Sequence, residues 1–121
     1  MTNFFRDQEK FMRACDQTVG ELNYRQYELY YGLIKEEVAE LMAAHKEGDK
    51  LGQLDALIDI LVVTIGAIHS MGVDGEGAWN EVMRTNFAKI DSETGKVRKR
   101  HDGKVLKPDG WQPPNLTPYL K

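Results

Sequence analysis

Along the first three quarters of the chain, apolar positions return every three or four residues, the period of an amphipathic helix. The first such stretch is FFRDQEKFMRAC. Thr2 and Asn3 are its candidate caps, and Phe4, Phe5, Phe11, Met12 and Cys15 form its predicted inner face, ending before Gly20. A second helix is predicted from about Tyr24 to Lys46, with Ile34, Val38, Leu41 and His45 grouped at about 140–200° as a core face, counted from Glu36. KEGDK at 46–50 is the turn that closes it. A third covers Leu51 to Met71 and stops at Gly72. Its β-branched run Ile60–Ile65 would suit a buried strand on propensity alone, but the length of the segment and the i, i+4 pair Asp55 and Asp59 favour helix. A fourth follows MGVDGEG, with Trp79, Met83, Asn86 and Ile90 on one stripe.

From Asp91 the pattern breaks. GKVRKR, HDG and KVLK predict a small hairpin or an ordered loop, and PDGWQPPNLTP a proline-punctuated extended segment. Four helices with short connections predict an all-α, four-helix-bundle-like fold, in which sites are built from side chains on facing helices. The chain reads as a single domain, 1–121, with a helical core at 1–90 and an irregular basic tail at 91–121. The third helix is apolar nearly all round, with Leu54, Leu57, Ile58, Leu61, Val62, Ile65 and Ile68 spread over its circumference. So short a chain hardly covers it, which predicts a homo-oligomer, a dimer or a tetramer.

Charge changes the picture more than composition does. The net charge of −3 conceals an acidic body and a basic tail: residues 1–90 carry 9 Lys/Arg against 15 Asp/Glu, residues 91–121 carry 7 against 4. Such a body suits metal plus phosphate better than duplex nucleic acid, so no nucleic-acid partner is expected. Cys15 is the only cysteine, which excludes an intrachain disulfide and points to a reducing compartment. It is expected to be a small buried residue of the first helix. MTNFFRDQEKFM has no apolar h-region, and the run Ile60–Ile68 is too short for a bilayer, so a cytoplasmic protein with no membrane partner is expected.

The candidate chemistry lies in two acidic clusters, EEVAE and DALID. On a helix Glu36, Glu40 and Glu37 fall at about 0°, 40° and 100°, and Asp55 and Asp59 stand one turn apart on the next helix. Such a cluster is either a solvated acidic face or a cage for hard cations such as Mg²⁺. Leu29 and Leu33 fall inside the acidic arc, and the Asp pair opens LDALIDILVVTIGAIHSM, the most apolar stretch of the chain. Carboxylates there need a cation or a donor nearby, which favours the cage. Asn86 lies on an apolar stripe, so its amide needs partners, either another helix or a ligand. His45 and His69 have no second His or Cys at ligand spacing, and Trp79 is most simply a core aromatic. No phosphate-binding glycine loop, Ser/His/Asp set or CxxC is present.

At these residues the chain resembles the all-α nucleoside triphosphate pyrophosphohydrolase superfamily, which includes MazG-like proteins, dimeric dUTPases and phosphoribosyl-ATP pyrophosphohydrolases. The superfamily pattern is EExxE on one helix and ExxD on the next. EEVAE matches the first at Glu36, Glu37 and Glu40, and Asp59 takes the ExxD aspartate. The ExxD glutamate falls on Ala56, with Asp55 the candidate to replace it. The closest resemblance is to the MazG-like house-cleaning branch of bacteria and phages, through EVMRTNFAK, which supplies Asn86 and Lys89, and DGKVLKPDGWQPP, which supplies Lys104, Lys107 and Trp111.

The resemblance implies an oligomeric all-α enzyme of the cytoplasm, or of the host cytoplasm if phage-encoded. It implies hydrolysis of a (deoxy)nucleoside triphosphate to the monophosphate and pyrophosphate, with two or three Mg²⁺ or Mn²⁺ ions. The ions would be held by Glu36, Glu37, Glu40, Asp55 and Asp59. Glu36 or Glu37 would act as general base, and Asn86, Lys89, Lys104 and Lys107 would contact the substrate. Helix 1 and Tyr24–Tyr31 would line the base pocket, although nothing there spells a particular base. The charge of the substrate fits: a triphosphate carries about four negative charges, and an acidic pocket holds it only through bridging cations. The alternatives are phosphoribosyl-ATP hydrolysis and a non-catalytic helical module whose acids are surface.

Overall fold

The computed structural model describes all residues, Met1–Lys121, as four α-helices and a short 3₁₀ turn at Thr117–Tyr119, with no strands. The helices are α1 (Phe4–Ala14), α2 (Tyr24–Lys46), α3 (Lys50–Ser70) and α4 (Gly75–Phe87). The chain divides into two compact units, Met1–Gly75 with Lys121, and Glu76–Leu120.

In the first unit, the helix starts are set by side-chain caps. Asn3 accepts from Arg6 N at 3.0 Å, Asn23 from Gln26 N at 3.1 Å and Asp49 from Gly52 N at 2.9 Å, each satisfying one orphan donor of a first turn. Only Glu47, Gly48 and Asp49 separate α2 from α3, so the two form an antiparallel hairpin. The register of that hairpin follows from two close approaches. A methyl group on Gly66 would lie 2.6 Å from Tyr30 Cδ1, and one on Gly52 would lie 3.2 Å from Ala44 Cβ. Each step forward along α2 is a step back along α3, so both approaches belong to one alignment. The face of α3 that meets α2 is therefore Gly52, Ala56, Asp59, Val63, Gly66 and Ser70, mostly small residues. The core cluster is Met12, Tyr30 and Ala67, with Val19, Tyr27, Leu33, Ile34 and Val63 packed on it.

Several expected faces differ. The inner face of α2 runs through Tyr30, Ile34, Glu37, Leu41 and Ala44, rotated by about 50° from the predicted one, and Val38 and His45 are exposed. The cause is Gly66, which admits the bulky Tyr30 ring where the aliphatic pattern pointed elsewhere. On α1 only Gln8 and Met12 are fully buried; Phe4 and Phe11 are about 60% exposed. Cys15 is exposed as well, because α1 ends at Ala14 and Cys15 is its C-cap. His69 is structural: its Nε2 lies 2.8 Å from Phe5 O, and the Phe5 ring meets it edge-on. The whole of α3 is 21 residues long with a window of mean hydropathy 1.8, long and apolar enough by length and composition to cross a membrane, which the run Ile60–Ile68 alone concealed.

In the second unit α4 begins within GEGAW, before the predicted start, and its buried residue is Thr85. Trp79 is 58% exposed and not a core aromatic, and Ile90 lies beyond the helix end. The tail forms the expected hairpin: Arg100 N donates to Lys104 O and Leu106 N to Arg98 O, both at 2.8 Å, around the turn at Asp102–Gly103. Glu81 fastens the tail's far end to α4. Its carboxylate accepts from Arg84 Nε at 2.8 Å and from Asn115 N at 2.8 Å, and the Arg84 guanidinium, then the Asn115 amide, hold its pKa down at about 2.

Candidate active site

Both acidic clusters lie on the α2–α3 hairpin, and its register decides which acids meet. Glu37 stands seven residues after Tyr30 and Asp59 seven before Gly66, so the two carboxylates face each other across the seam. Glu40 is level with Ala56, which is buried at 2% exposure. The position that carries glutamate in the ExxD pattern therefore opposes Glu40, and here it is an apolar methyl.

The electrostatics of Glu37 report the same grouping. Its pKa is raised above the ordinary 4.5, first by burial, then by the adjoining Glu40 carboxyl, then by the charges of Asp59 and Asp55. Its Oε2 is shielded from solvent and has no hydrogen-bond partner. No Lys or Arg pairs with any of the five acids. Four carboxylates thus share one stretch of seam with no cation from the protein. As the side chains stand, no three of them converge into a ligating set. Asp55 is exposed and exerts the weakest of these effects, as expected for a residue on the flank of the seam. Glu36 is exposed and is not among the charges that shift Glu37.

The predicted Tyr24–Tyr31 segment forms an aromatic ladder on α2. Tyr24 and Tyr27, then Tyr27 and Tyr31, stand 6.5 Å apart between ring centroids, the second pair nearly parallel, and Lys35 Nζ lies 5.0 Å from the Tyr31 centroid.

In the second unit Asn86 and Lys89 come together, with Lys89 Nζ donating to Asn86 Oδ1 at 3.1 Å. Lys107 joins them through Trp111: both ammoniums lie over the indole. Lys104 stands apart on the exposed hairpin, where only its backbone is engaged. Trp111 was named in the sequence as part of the DGKVLKPDGWQPP motif but was given no role in the site. The signal for it was KPDGW, a turn sequence that brings a lysine and an indole side by side.

No curated protein matches the chain. The family model of phosphoribosyl-ATP pyrophosphohydrolase matches residues 9–86, which contain α2, α3, all five acids and Asn86. Lys89 and the whole tail, with Lys104, Lys107 and Trp111, lie outside the match. With an all-helical fold and the matched region covering well over half its length, the chain belongs to the phosphoribosyl-ATP pyrophosphohydrolase family of the all-α NTP pyrophosphohydrolase superfamily.

Proposed function

We propose that the protein is a divalent-metal-dependent nucleotide pyrophosphohydrolase that cleaves a nucleoside triphosphate, deoxynucleotides foremost, to the monophosphate and pyrophosphate. The pyrophosphohydrolase chemistry is that of the family. The observation that carries the reading is the carboxylate group around the partnerless Glu37 Oε2, inside the matched region. An all-oxygen, uncompensated donor set suits Mg²⁺, with Mn²⁺ as substitute, and Glu36, Glu37, Glu40, Asp55 and Asp59 are the proposed holders of two or three ions. When bound, such ions neutralise phosphate charge and lower the pKa of water. Glu36 or Glu37 is the proposed general base for an attacking water, each standing on α2 beside the other proposed ligands. The Tyr27–Tyr31 ladder offers a stacking surface for a base, and Asn86, Lys89, Lys104 and Lys107 are the proposed phosphate or sugar contacts.

Phosphoribosyl-ATP is the second reading, favoured by the family that matches, whereas the DGKVLKPDGW tail favours the MazG-like branch. Both substrates release pyrophosphate from a phosphoanhydride. A panel of canonical and modified (d)NTPs plus phosphoribosyl-ATP, with Mg²⁺ or Mn²⁺ and detection of phosphate after added pyrophosphatase, decides between them. Turnover of (d)NTPs supports the first reading and of phosphoribosyl-ATP alone the second. Release from none, with a melting temperature indifferent to Mn²⁺, sinks both and leaves a non-catalytic module.

A further inference from the structure

Within the second unit, the tail returns to the end of α4 and builds a cluster around Trp111, to which no role has yet been given. The last carbonyls of a helix lack partners of their own. Here Lys89 N turns to Asn86 O at 3.1 Å, leaving Thr85 O, which accepts from Trp111 Nε1 at 2.7 Å. A tight turn delivers the indole: Trp111 N donates to Pro108 O at 3.1 Å, and Gly110 has a φ of +77°, a conformation that favours glycine. The one donor of the ring is satisfied and the ring is fixed at the C-terminal end of α4.

Two ammoniums rest on that ring. Lys89 Nζ lies 5.0 Å and Lys107 Nζ 4.9 Å from its centroid. They are therefore within about 10 Å of each other, on the order of one Debye length, and repel. Neither has a carboxylate partner. The ring face and the negative end of α4 offset part of the repulsion, and a multiply charged anion would remove the rest. Donors remain for it. Lys89 spends one bond on Asn86 Oδ1, and Asn86 Nδ2 meets only the weak acceptor Met83 Sδ at 3.8 Å. Two ammoniums and a carboxamide N–H around one rigid platform match the chemistry of a phosphoanhydride chain.

We propose that Trp111 is a positioning residue that gathers Lys89 and Lys107 into a subsite for such a chain, the distal phosphates of a nucleotide or released pyrophosphate. Only the origin of the anion rests on the pyrophosphohydrolase reading. The test uses the full chain in a Trp79→Phe background, which leaves Trp111 as the only indole. Inorganic pyrophosphate, without divalent metal, is expected to produce a saturable change in Trp111 emission, with inorganic phosphate bound about tenfold more weakly. Lys89→Met and Lys107→Met are each expected to weaken pyrophosphate binding about tenfold. Trp111→Phe, followed by calorimetry with its melting temperature recorded, should weaken it several-fold and raise KM for the turned-over nucleotide more than it lowers kcat. A merely structural Trp111 would reduce the folded fraction and leave both affinities unmoved. No saturable response at millimolar pyrophosphate, or wild-type affinity in Lys107→Met, overturns the proposal. Pyrophosphate binding without turnover of any nucleotide would uphold the subsite and remove the proposed activity. Turnover with an unchanged KM in Lys107→Met would do the reverse.

Discussion

Glu37 is the residue on which most depends, since it combines a shielded oxygen, a facing aspartate and no protein cation. Glu37→Gln or Glu40→Gln should abolish metal-dependent turnover while the fold persists, because each removes a proposed ligand and also relieves like-charge repulsion. Near-normal kcat/KM in either variant would exclude the proposed cage. The direction of the Glu37 shift adds a pH signature. A carboxyl whose folded pKa is raised contributes its full stability below the ordinary value of 4.5 and loses it as pH rises through the folded pKa. The melting temperature of ion-free wild type should therefore fall behind that of Glu37→Gln across this window, and Mn²⁺ should close the gap. Parallel curves for the two proteins would contradict the assignment. Asp55 is a sharper case. If it replaces the missing glutamate, Asp55→Asn should cut activity as deeply as Asp59→Asn; its exposed flank position instead favours a smaller loss, and a side-by-side kcat/KM measurement separates the two. The clusters themselves were legible in the sequence as carboxylates at helical spacing. The role of Trp111 was not, because it arises from a tail fold that local patterning does not describe.

At the scale of elements, the α2–α3 hairpin converts sequence spacing into a site. The bounds of α2 were readable from caps and turn residues, but its phase was not. Hydrophobic patterning weighs large apolar residues, whereas α2 docks on a face of α3 made of Gly52, Ala56 and Gly66, which carry little such weight. Those small residues bring Tyr30 and Ala44 close, and the resulting rotation turns Glu37 toward Asp59. For the proposed site, the hairpin register is thus a catalytic variable. A methyl added at Gly66 would overlap the Tyr30 ring, and such overpacking costs typically about 1–3 kcal/mol. Gly66→Ala should lower unfolding stability by that order and reduce turnover further than the stability loss alone accounts for, because the facing acids shift. Thermal denaturation and kcat on the folded fraction measure the two effects. Unchanged kcat in a destabilised variant would mean the register has slack.

At the scale of the whole molecule, the question is what covers α3. Opposite its α2-facing side, Leu51, Leu54, Leu57, Ile58 and Leu61 are each about half exposed or more. Phe4 adds to the patch across an apolar groove of about 220 Å³ lined by Ile58, Leu61, Val62 and Ile65. Contiguous apolar surface of this kind marks an interface, and a stable one buries roughly 800 Å² per partner. The near all-round hydrophobicity of α3 was visible in the sequence, and the structure leaves one side of it exposed. We propose that a second copy covers this face, so the active protein is at least a dimer. Sedimentation velocity at micromolar concentration should show no species at the 13.8 kDa monomer mass. Leu61→Glu, placing a charge in the middle of the patch, should shift the protein toward monomer and lower its melting temperature, because burying an unpaired charge is costly. Activity measured on the separated species then shows whether the interface supports the seam. A single active species at the monomer mass would sink the proposal, and the exposed face of α3 would need another occupant.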